Sequence, residues 1–431
     1  MNKTVGIYTL GCKVNQYETQ IMIQQFAADG YDIVEAHEDA DVYVVNSCTV
    51  TSTGDKKTRQ VIHRLHRQNP NAVIALTGCY SQAYPAEVAA MEEINVLTGT
   101  GNKTSILGHV NTFLKTRERI VDIPEHDRRE SFEPMKADGF LERTRAFVKI
   151  QDGCEHYCSY CIIPYARGFV RSKPLEDLKL ELYNLSMAGF REIVLVGIDL
   201  SSYGKDLGLK LIDAILAACT TDGIDRVRLG SLEPDLFSDE DYQLLATLPQ
   251  FCPQFHLSLQ SGSNRILAAM KRKYNRDQVL RHVEYMKSVM PGVTFTCDII
   301  VGFPGETEED FLDTVDIAKK IDFLHMHIFP FSHREGTEAA KMKNQLPEAV
   351  KKERAHRLGE IGKELSEKRY LRSLGEERSV LFESRMGEYF YGHAEDMLEV
   401  VLKTDLDLQG EVLRVKLISY DGKHAVAEEI K

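Results

Sequence analysis

Three short apolar runs early in this sequence each stop at a cysteine, and that recurrence restricts the fold more than any other feature. Val5 to Leu10 precedes Cys12, Asp41 to Asn46 precedes Cys48, and Ala72 to Gly78 precedes Cys79. The first ~115 residues alternate such runs with helical stretches, the pattern of a parallel sheet with helices on its faces. In open α/β sheets the carboxyl ends of the strands line the ligand crevice, so cysteines 36 and 31 residues apart in sequence are expected to converge on one point. Thiols gathered in that way make a metal site. An isolated cysteine is more often a small buried hydrophobe, but three equivalent placements are poorly explained as coincidence.

Arg117 to Arg145 is dense in charge, contains Pro124 and Pro134 and has no sustained periodicity, which predicts a linker. Six further strands follow: Ala146 to Ile150, Glu192 to Gly197, Arg226 to Ser231, Gln254 to Gln260, Val293 to Val301 and His325 to Phe331. Each runs into loop and helix-like sequence, so six βα units are expected, an open barrel with its chemistry at the C-terminal ends of the strands. Leu346 to Leu371 reads as a charged amphipathic helix with Leu358, Ile361 and Leu365 on one face. After it, short strands separated by Gly387, Gly392, Gly410 and Gly422 predict a small β-barrel. The expected class is α/β: a doubly wound parallel-sheet domain over 1–116, a linker over 117–143, an open (β/α)6 barrel over 144–371 and a β-barrel over 372–431.

Cys154-x-x-x-Cys158-x-x-Cys161 lies directly after the first barrel strand, where a barrel enzyme places its active site. Three thiolates on a 4Fe-4S cluster leave one iron without a protein ligand. That iron can chelate the amino and carboxylate groups of S-adenosylmethionine, and an electron delivered through the cluster can cleave the sulfonium to a 5′-deoxyadenosyl radical. Zinc is the competing reading, but three close cysteines lack the second pair of a zinc ribbon. Val5 to Leu10 is too short for a signal-peptide apolar region and runs into Gly11-Cys12 without a cleavage site, so the expected compartment is the cytoplasm. There, nine cysteines fit metal or redox chemistry better than disulfides. No stretch approaches the roughly 18 apolar residues of a membrane span, so no membrane partner is expected.

Lys149-Ile150-Gln151-Asp152-Gly153-Cys154 through Ile162-Ile163-Pro164-Tyr165-Ala166-Arg167-Gly168 resembles the radical motif of the methylthiotransferases. The likeness extends to Leu257-Ser258-Leu259-Gln260-Ser261-Gly262, to Asp298 through Thr307, and to Phe329-Pro330-Phe331-Ser332, and so spans nearly the whole chain. It implies a radical S-adenosylmethionine barrel, a second 4Fe-4S cluster on Cys12, Cys48 and Cys79 whose open iron carries the transferred sulfur, and a C-terminal barrel of the TRAM type. Gly11-Cys12-Lys13-Val14-Asn15-Gln16-Tyr17-Glu18 resembles the members that act on threonylcarbamoyl-adenosine at position 37 of tRNA, and the lack of a C-terminal apolar anchor resembles the bacterial type. Gly197-Ile198-Asp199-Leu200-Ser201-Ser202-Tyr203-Gly204 departs from that subfamily, where a histidine and more glycine are expected. The implied partners are the tRNA anticodon loop, a reductant such as a flavodoxin or ferredoxin system, and a sulfur donor. Isopentenyl-adenosine tRNA or a ribosomal protein is the rival substrate, and a non-catalytic iron-sulfur RNA-binding protein is the rival class.

Tyr160 is expected near the adenine of the cofactor, with loop packing as its bland alternative. Ser231 and Gln260 lie at strand ends on the expected catalytic rim, and Gly302 and Gly305 could let backbone approach the adenosyl group. Lys56, Lys57, Arg59, Arg64 and Arg67, in the helix after Cys48, are candidate phosphate contacts, as are Arg167 and Arg171. The net charge of -12 opposes non-specific nucleic-acid binding, so any RNA grip is local. Ser373 to Lys431 holds 7 Lys and Arg against 13 Asp and Glu, so its barrel is expected to read RNA through a few residues or to act in positioning. Cys219, Cys252 and Cys297 share no spacing and are expected in the core.

Overall fold

In the computed structural model, which describes residues 2–137, 144–234 and 236–430, the N-terminal strands are β1 (Thr4–Thr9), β2 (Asp32–Val34), β3 (Val42–Ser47), β4 (Val73–Gly78), β5 (Val96–Thr98) and β6 (Ile120–Asp122). They form one sheet in the order β2-β1-β3-β4-β5-β6, parallel throughout. Val42-Tyr43-Val44-Val45 and Val73-Ile74-Ala75-Leu76 are buried on both faces, as apolar runs in a parallel sheet covered by helices must be. One face packs Met22, Phe26 and Val110, the other Ile62, Leu65 and Val88. The sixth strand falls inside the segment expected to be linker. Three residues are too short to show a period, but Ile120 and Val121 complete the sheet edge beside β5. Residues 138–143 of that linker lie outside the described residues.

The barrel strands are β7 (Arg145–Asp152), a two-residue antiparallel β8 (Arg171–Ser172), β9 (Glu192–Gly197), β10 (Arg226–Leu229), β11 (Ser231–Leu232), β12 (Gln254–Gln260), β13 (Thr294–Val301) and β14 (His325–Pro330). The expected third strand breaks at Gly230 into β10 and β11, so the arc consists of two sheets, β10-β9-β7-β8 and β11-β12-β13-β14. The barrel is open. Helix Lys13–Ala28 of the N-terminal domain packs along β7, and its Val14, Tyr17 and Ile21 belong to the barrel's own core cluster. Cys219 and Cys297 belong to that cluster too, and Cys252 is also buried.

Helix Glu348–Arg372 runs from the barrel to five strands, β15 (Glu377–Met386), β16 (Tyr389–Ala394), β17 (Glu399–Lys403), β18 (Val412–Tyr420) and β19 (Ala425–Glu429). These close as β15-β16-β17-β19-β18. The small barrel docks on the N-terminal ends of the large barrel's strands. Arg226 donates to the carbonyls of Ser379 (3.1 Å) and His393 (3.0 Å), and Arg228 to those of Ala394 (2.6 Å) and Glu395 (2.8 Å). Glu192 accepts from Arg228 Nε at 2.9 Å, and these arginines hold its carboxyl, despite burial, down at a pKa of about 2. No helix among the described residues is long and apolar enough to cross a membrane.

A buried charge cluster joins the first two domains. Glu18, fully buried on helix Lys13–Ala28, is paired with Lys103 of its own domain and with Lys149 (2.8 Å) and Arg167 (2.5 Å) of the barrel domain. Asp152 pairs with Lys149 (2.5 Å) and Arg167 (3.3 Å), and Arg171 with Glu130 (2.7 Å). Removing one partner of a buried pair leaves the others uncompensated, at a cost of about 3–5 kcal/mol. Glu18→Ala, which strands three buried cations, is therefore expected to lower unfolding stability by about 3–5 kcal/mol in denaturant titration; a change under about 1 kcal/mol, the size of an exposed pair, would refute the role given to this cluster.

Candidate metal centres

Cys12 follows β1 and precedes helix Lys13–Ala28, Cys48 follows β3, and Cys79 opens the short helix after β4. The three neighbouring strand ends are laced together by side chains. Asn15 Nδ2 donates to the carbonyls of Leu10 and Ser47, both at 2.9 Å, and Ser47 Oγ donates to Thr77 O at 2.6 Å. Gly78 adopts φ +104, and a Cβ there would fall 2.5 Å from Ser47 O, so only glycine brings β4 this close to the end of β3. Cys12 is exposed, Cys48 half-buried and Cys79 buried.

The second triplet sits in a loop pinned at both ends. Gly153 has φ +78 and its added Cβ would meet Phe169 O at 1.7 Å; Cys154 N donates to Gly168 O at 3.0 Å. Farther on, Ser159 N donates to Met270 O (3.1 Å) and Ser159 O accepts from Ala339 N (2.7 Å). Cys154, Cys158 and Cys161 all line one cavity of about 300 Å³. Val50 and Thr51, just past Cys48, line it too, so both triplets lie beside the cleft between domains. Arg272 donates to Cys158 Sγ at 3.2 Å, and the buried Arg167 donates to Cys79 Sγ at 3.1 Å.

The donor sets discriminate between a single ion and a cluster. Three thiolates on one zinc, each about 2.3 Å from it, would stand about 3.8 Å apart. Among the described residues neither cysteine triplet has its sulfurs within 4.8 Å of one another. That wider spacing fits a 4Fe-4S cluster, in which each thiolate binds a different iron. The one compact ligand group is Cys154 with His156 and Asp199. Asp199 accepts from Ser202 Oγ at 2.5 Å and pairs with His156 at 3.0 Å, and these contacts hold its carboxyl low against the opposing effect of burial.

Burial pushes the Cys48 and Cys161 thiols up to about 12 and raises Cys154 as well; Cys12, although its surface is open to solvent, is raised by the protein packed around its sulfur. The neighbouring cysteines add to each shift: Cys79 to those of Cys12 and Cys48, and Cys158 to those of Cys154 and Cys161. Raised thiol pKa values favour the protonated form at neutral pH, and a metal ion binding at these sulfurs would have to displace the protons. Since a raised thiol pKa favours the protonated, metal-free form below that pKa, anaerobic iron uptake is expected to strengthen steadily from pH 6.5 to 8.5 with release of protons. Titration with ferrous iron and sulfide in weakly buffered solution measures both, and pH-independent uptake would contradict it.

Tyr160, Ser231 and Gln260 line the cavity. Tyr160 also packs on the cluster of Ile266, Met270 and Phe303, and Gln260 takes φ 63 at a bulge in β12, a backbone cost that re-aims its side chain. Gly302 and Gly305 are elsewhere. A Cβ on Gly302 would meet Lys351, the nearest group to Gly305 is Asn344, and neither glycine lines the cavity; they form the turn after β13. Arg167 and Arg171 are buried and fully paired in the domain interface, so they face no RNA. Of the helix Ser52–Gln68, Arg59 is held by Tyr80 and Glu87 and Arg64 by Tyr8, whereas Lys56, Lys57 and Arg67 stand on the exposed surface. Sequence reasoning missed His156, Asp199, Glu233, Ser258, Arg272, Asp298 and Arg334, all on the cavity wall. Period two would have found several: Glu233 follows Ser231, and Ser258 precedes Gln260, on the same strand faces. Burial raises Glu233 although Arg272 is paired with it.

A three-cysteine loop after the first strand of an open parallel barrel, opening on a cavity at the strands' C-terminal ends, defines a radical S-adenosylmethionine enzyme. A model of the Radical SAM superfamily matches residues 148–318, and one described as Uncharacterized protein family UPF0004 matches residues 4–99. The chain is 39% identical over 422 residues to the threonylcarbamoyladenosine tRNA methylthiotransferase MtaB of Bacillus subtilis, covering 96% of this chain and 94% of that protein. It is 40% identical over 400 residues to the protein of the same name from Thermotoga maritima, with 91% of each covered. It is 34% identical to the tRNA-2-methylthio-N(6)-dimethylallyladenosine synthase of Pelotomaculum thermopropionicum, over 96% of this chain and 94% of that one. The chain belongs to the radical S-adenosylmethionine methylthiotransferase family. In fold it resembles the radical S-adenosylmethionine methyltransferase TsrM of Kitasatospora setae, with a TM-score of 0.57 at 15% identity, over 79% of this chain and 74% of that one.

Proposed function

We propose that this enzyme adds a methylthio group to carbon 2 of threonylcarbamoyl-adenosine at position 37 of tRNA, in the cytoplasm, with one 4Fe-4S cluster on Cys154, Cys158 and Cys161 and a second on Cys12, Cys48 and Cys79. The observation that carries the reading is the loop of Cys154, Cys158 and Cys161 lining a cavity whose wall also includes Val50 and Thr51, just past Cys48 of the strand-end triplet. Relatives named for threonylcarbamoyladenosine support the substrate. A cluster held by Cys154, Cys158 and Cys161 would supply the electron for cleaving S-adenosylmethionine to the radical. Within the cavity Tyr160, Ser231 and Gln260 orient the cofactor, while Arg272 donates to Cys158 Sγ and so tempers the charge on that ligand. Arg167 does the same at Cys79 for the other site. The small barrel is read as a TRAM-like module that positions RNA, with Lys56, Lys57 and Arg67 as phosphate contacts near the cleft. A flavodoxin or ferredoxin type of reductant and a sulfur donor complete the partners.

Reconstituted wild type is expected to hold about eight irons and each triple Cys→Ala variant about four; a single cluster tied to Cys154, Cys158 and Cys161 would sink the two-centre reading. In a strain lacking the gene, mass spectrometry of tRNA nucleosides is expected to reveal loss of the methylthio form of threonylcarbamoyl-adenosine. Loss of the dimethylallyl counterpart instead would reassign the substrate.

A further inference from the structure

The lumen of the large barrel has a second chamber, behind the cysteine cavity. Along β12, Gln254 and His256 line the chamber while Ser258 and Gln260 line the cavity; on β13 the division falls between Thr296 and Asp298, and on β14 between His327 and Phe329. The two spaces are thus stacked along one strand face, parted at His256, whose ring contacts Thr296 (2.8 Å) and Asp298 (3.2 Å). The chamber encloses about 830 Å³, bounded by helix Glu348–Arg372 and the small barrel. Its wall carries Lys13, Lys363 and Lys423 against Glu367 and Glu399, with apolar Leu229, Leu324 and Met326 among them, and desolvation lowers the pKa values of His325 and His327. Lys13 also lines this chamber, and it makes no hydrogen bond or ion pair with any described residue. The cations near it are matched: Arg145 with Glu383 and Arg228 with Glu192. Lys13 is solvent-accessible within the chamber, and an ammonium there without a carboxylate partner is free to take an anion.

We propose that this chamber takes the side chain carried on N6 of the substrate adenosine and that Lys13 binds its carboxylate. The proposal rests on the substrate reading above, since the threonylcarbamoyl group carries a carboxylate and a hydroxyl whereas a dimethylallyl group carries neither. Lys13 immediately follows Cys12, so one end of the nucleobase would be gripped beside the first cysteine triplet while its ring faces the cavity of the second. His325 and His327, both on the chamber wall, then serve as hydrogen-bonding partners for the hydroxyl and carbamoyl groups. Specificity follows because a substituent without a carboxylate would displace water from Lys13 and return no ion pair.

The test uses reconstituted full-length protein and anticodon stem-loop RNAs of one sequence, carrying adenosine, threonylcarbamoyl-adenosine or its methyl ester at position 37, with affinity read by fluorescence anisotropy. Wild type is expected to prefer the free carboxylate over both other RNAs by on the order of ten- to a hundredfold. Lys13→Met should bind all three alike with unchanged iron content, and Lys13→Arg should keep part of the preference. Equal binding of acid and ester by wild type, or a preference that survives in Lys13→Met, overturns the proposal. If Lys13→Met loses iron, the ester comparison in wild type and the Lys13→Arg variant decide. Failure of the underlying reading looks different: wild type would then methylthiolate a dimethylallyl-adenosine RNA and leave the threonylcarbamoyl RNA unmodified.

Discussion

The joint between the first two domains centres on a buried carboxylate, Glu18, seconded by Asp152. Glu18 accepts charge from Lys103 in its own domain and from Lys149 and Arg167 in the barrel, with no water-facing alternative for any of them. Arg167 then reaches on to Cys79 Sγ and Asn15, the residue that ties β1 to β3. The electrostatics that glue the domains are thus continuous with the cysteines of the N-terminal triplet. A second clamp, Arg334 on Asp55 at 2.5 Å, closes the far side of the cleft beside Thr51. Two sulfur sites on separate domains can cooperate only if their separation is fixed, and buried ion pairs, whose strength depends steeply on geometry, fix it better than an apolar contact that tolerates sliding.

The two ends of the large barrel are divided between different tasks. Its C-terminal strand ends hold the cysteine loop and meet the N-terminal domain; its N-terminal strand ends receive the small barrel through Arg226, Arg228 and Glu192. A polynucleotide drawn along the small barrel would therefore meet the lumen from the side opposite the cysteine loop. This arrangement also reconciles an acidic chain with an RNA substrate. The net charge of -12 leaves Lys56, Lys57 and Arg67, exposed on the helix after Cys48, as local cations on an acidic surface.

The cysteine placement, the six strands and the closing helix were legible because each is a local pattern: an apolar run that stops at a ligand, or a period of 3.6. The closed C-terminal barrel was legible from glycine punctuation. What misled was chemistry judged by residue type alone. Arg167 and Arg171 look like RNA contacts beside a reactive loop, yet their carboxylate partners Glu18 and Glu130 lie 149 and 41 residues away. Gly302 and Gly305 look like a backbone left clear for a ligand, yet one is packed by Lys351 from the terminal helix. The short β6 carried too few residues for any periodicity, and only the free edge of β5 selects it.

Sequence by itself determined the cofactor chemistry and the layers of the fold, because thiol identity and strand period are properties of neighbours along the chain. Tertiary structure alone decided which cations are matched and which, like Lys13, are left facing an enclosed space. Charge pairing depends on distances of a few ångströms between residues far apart in sequence, and the chain acquires those distances only when the domains close on one another.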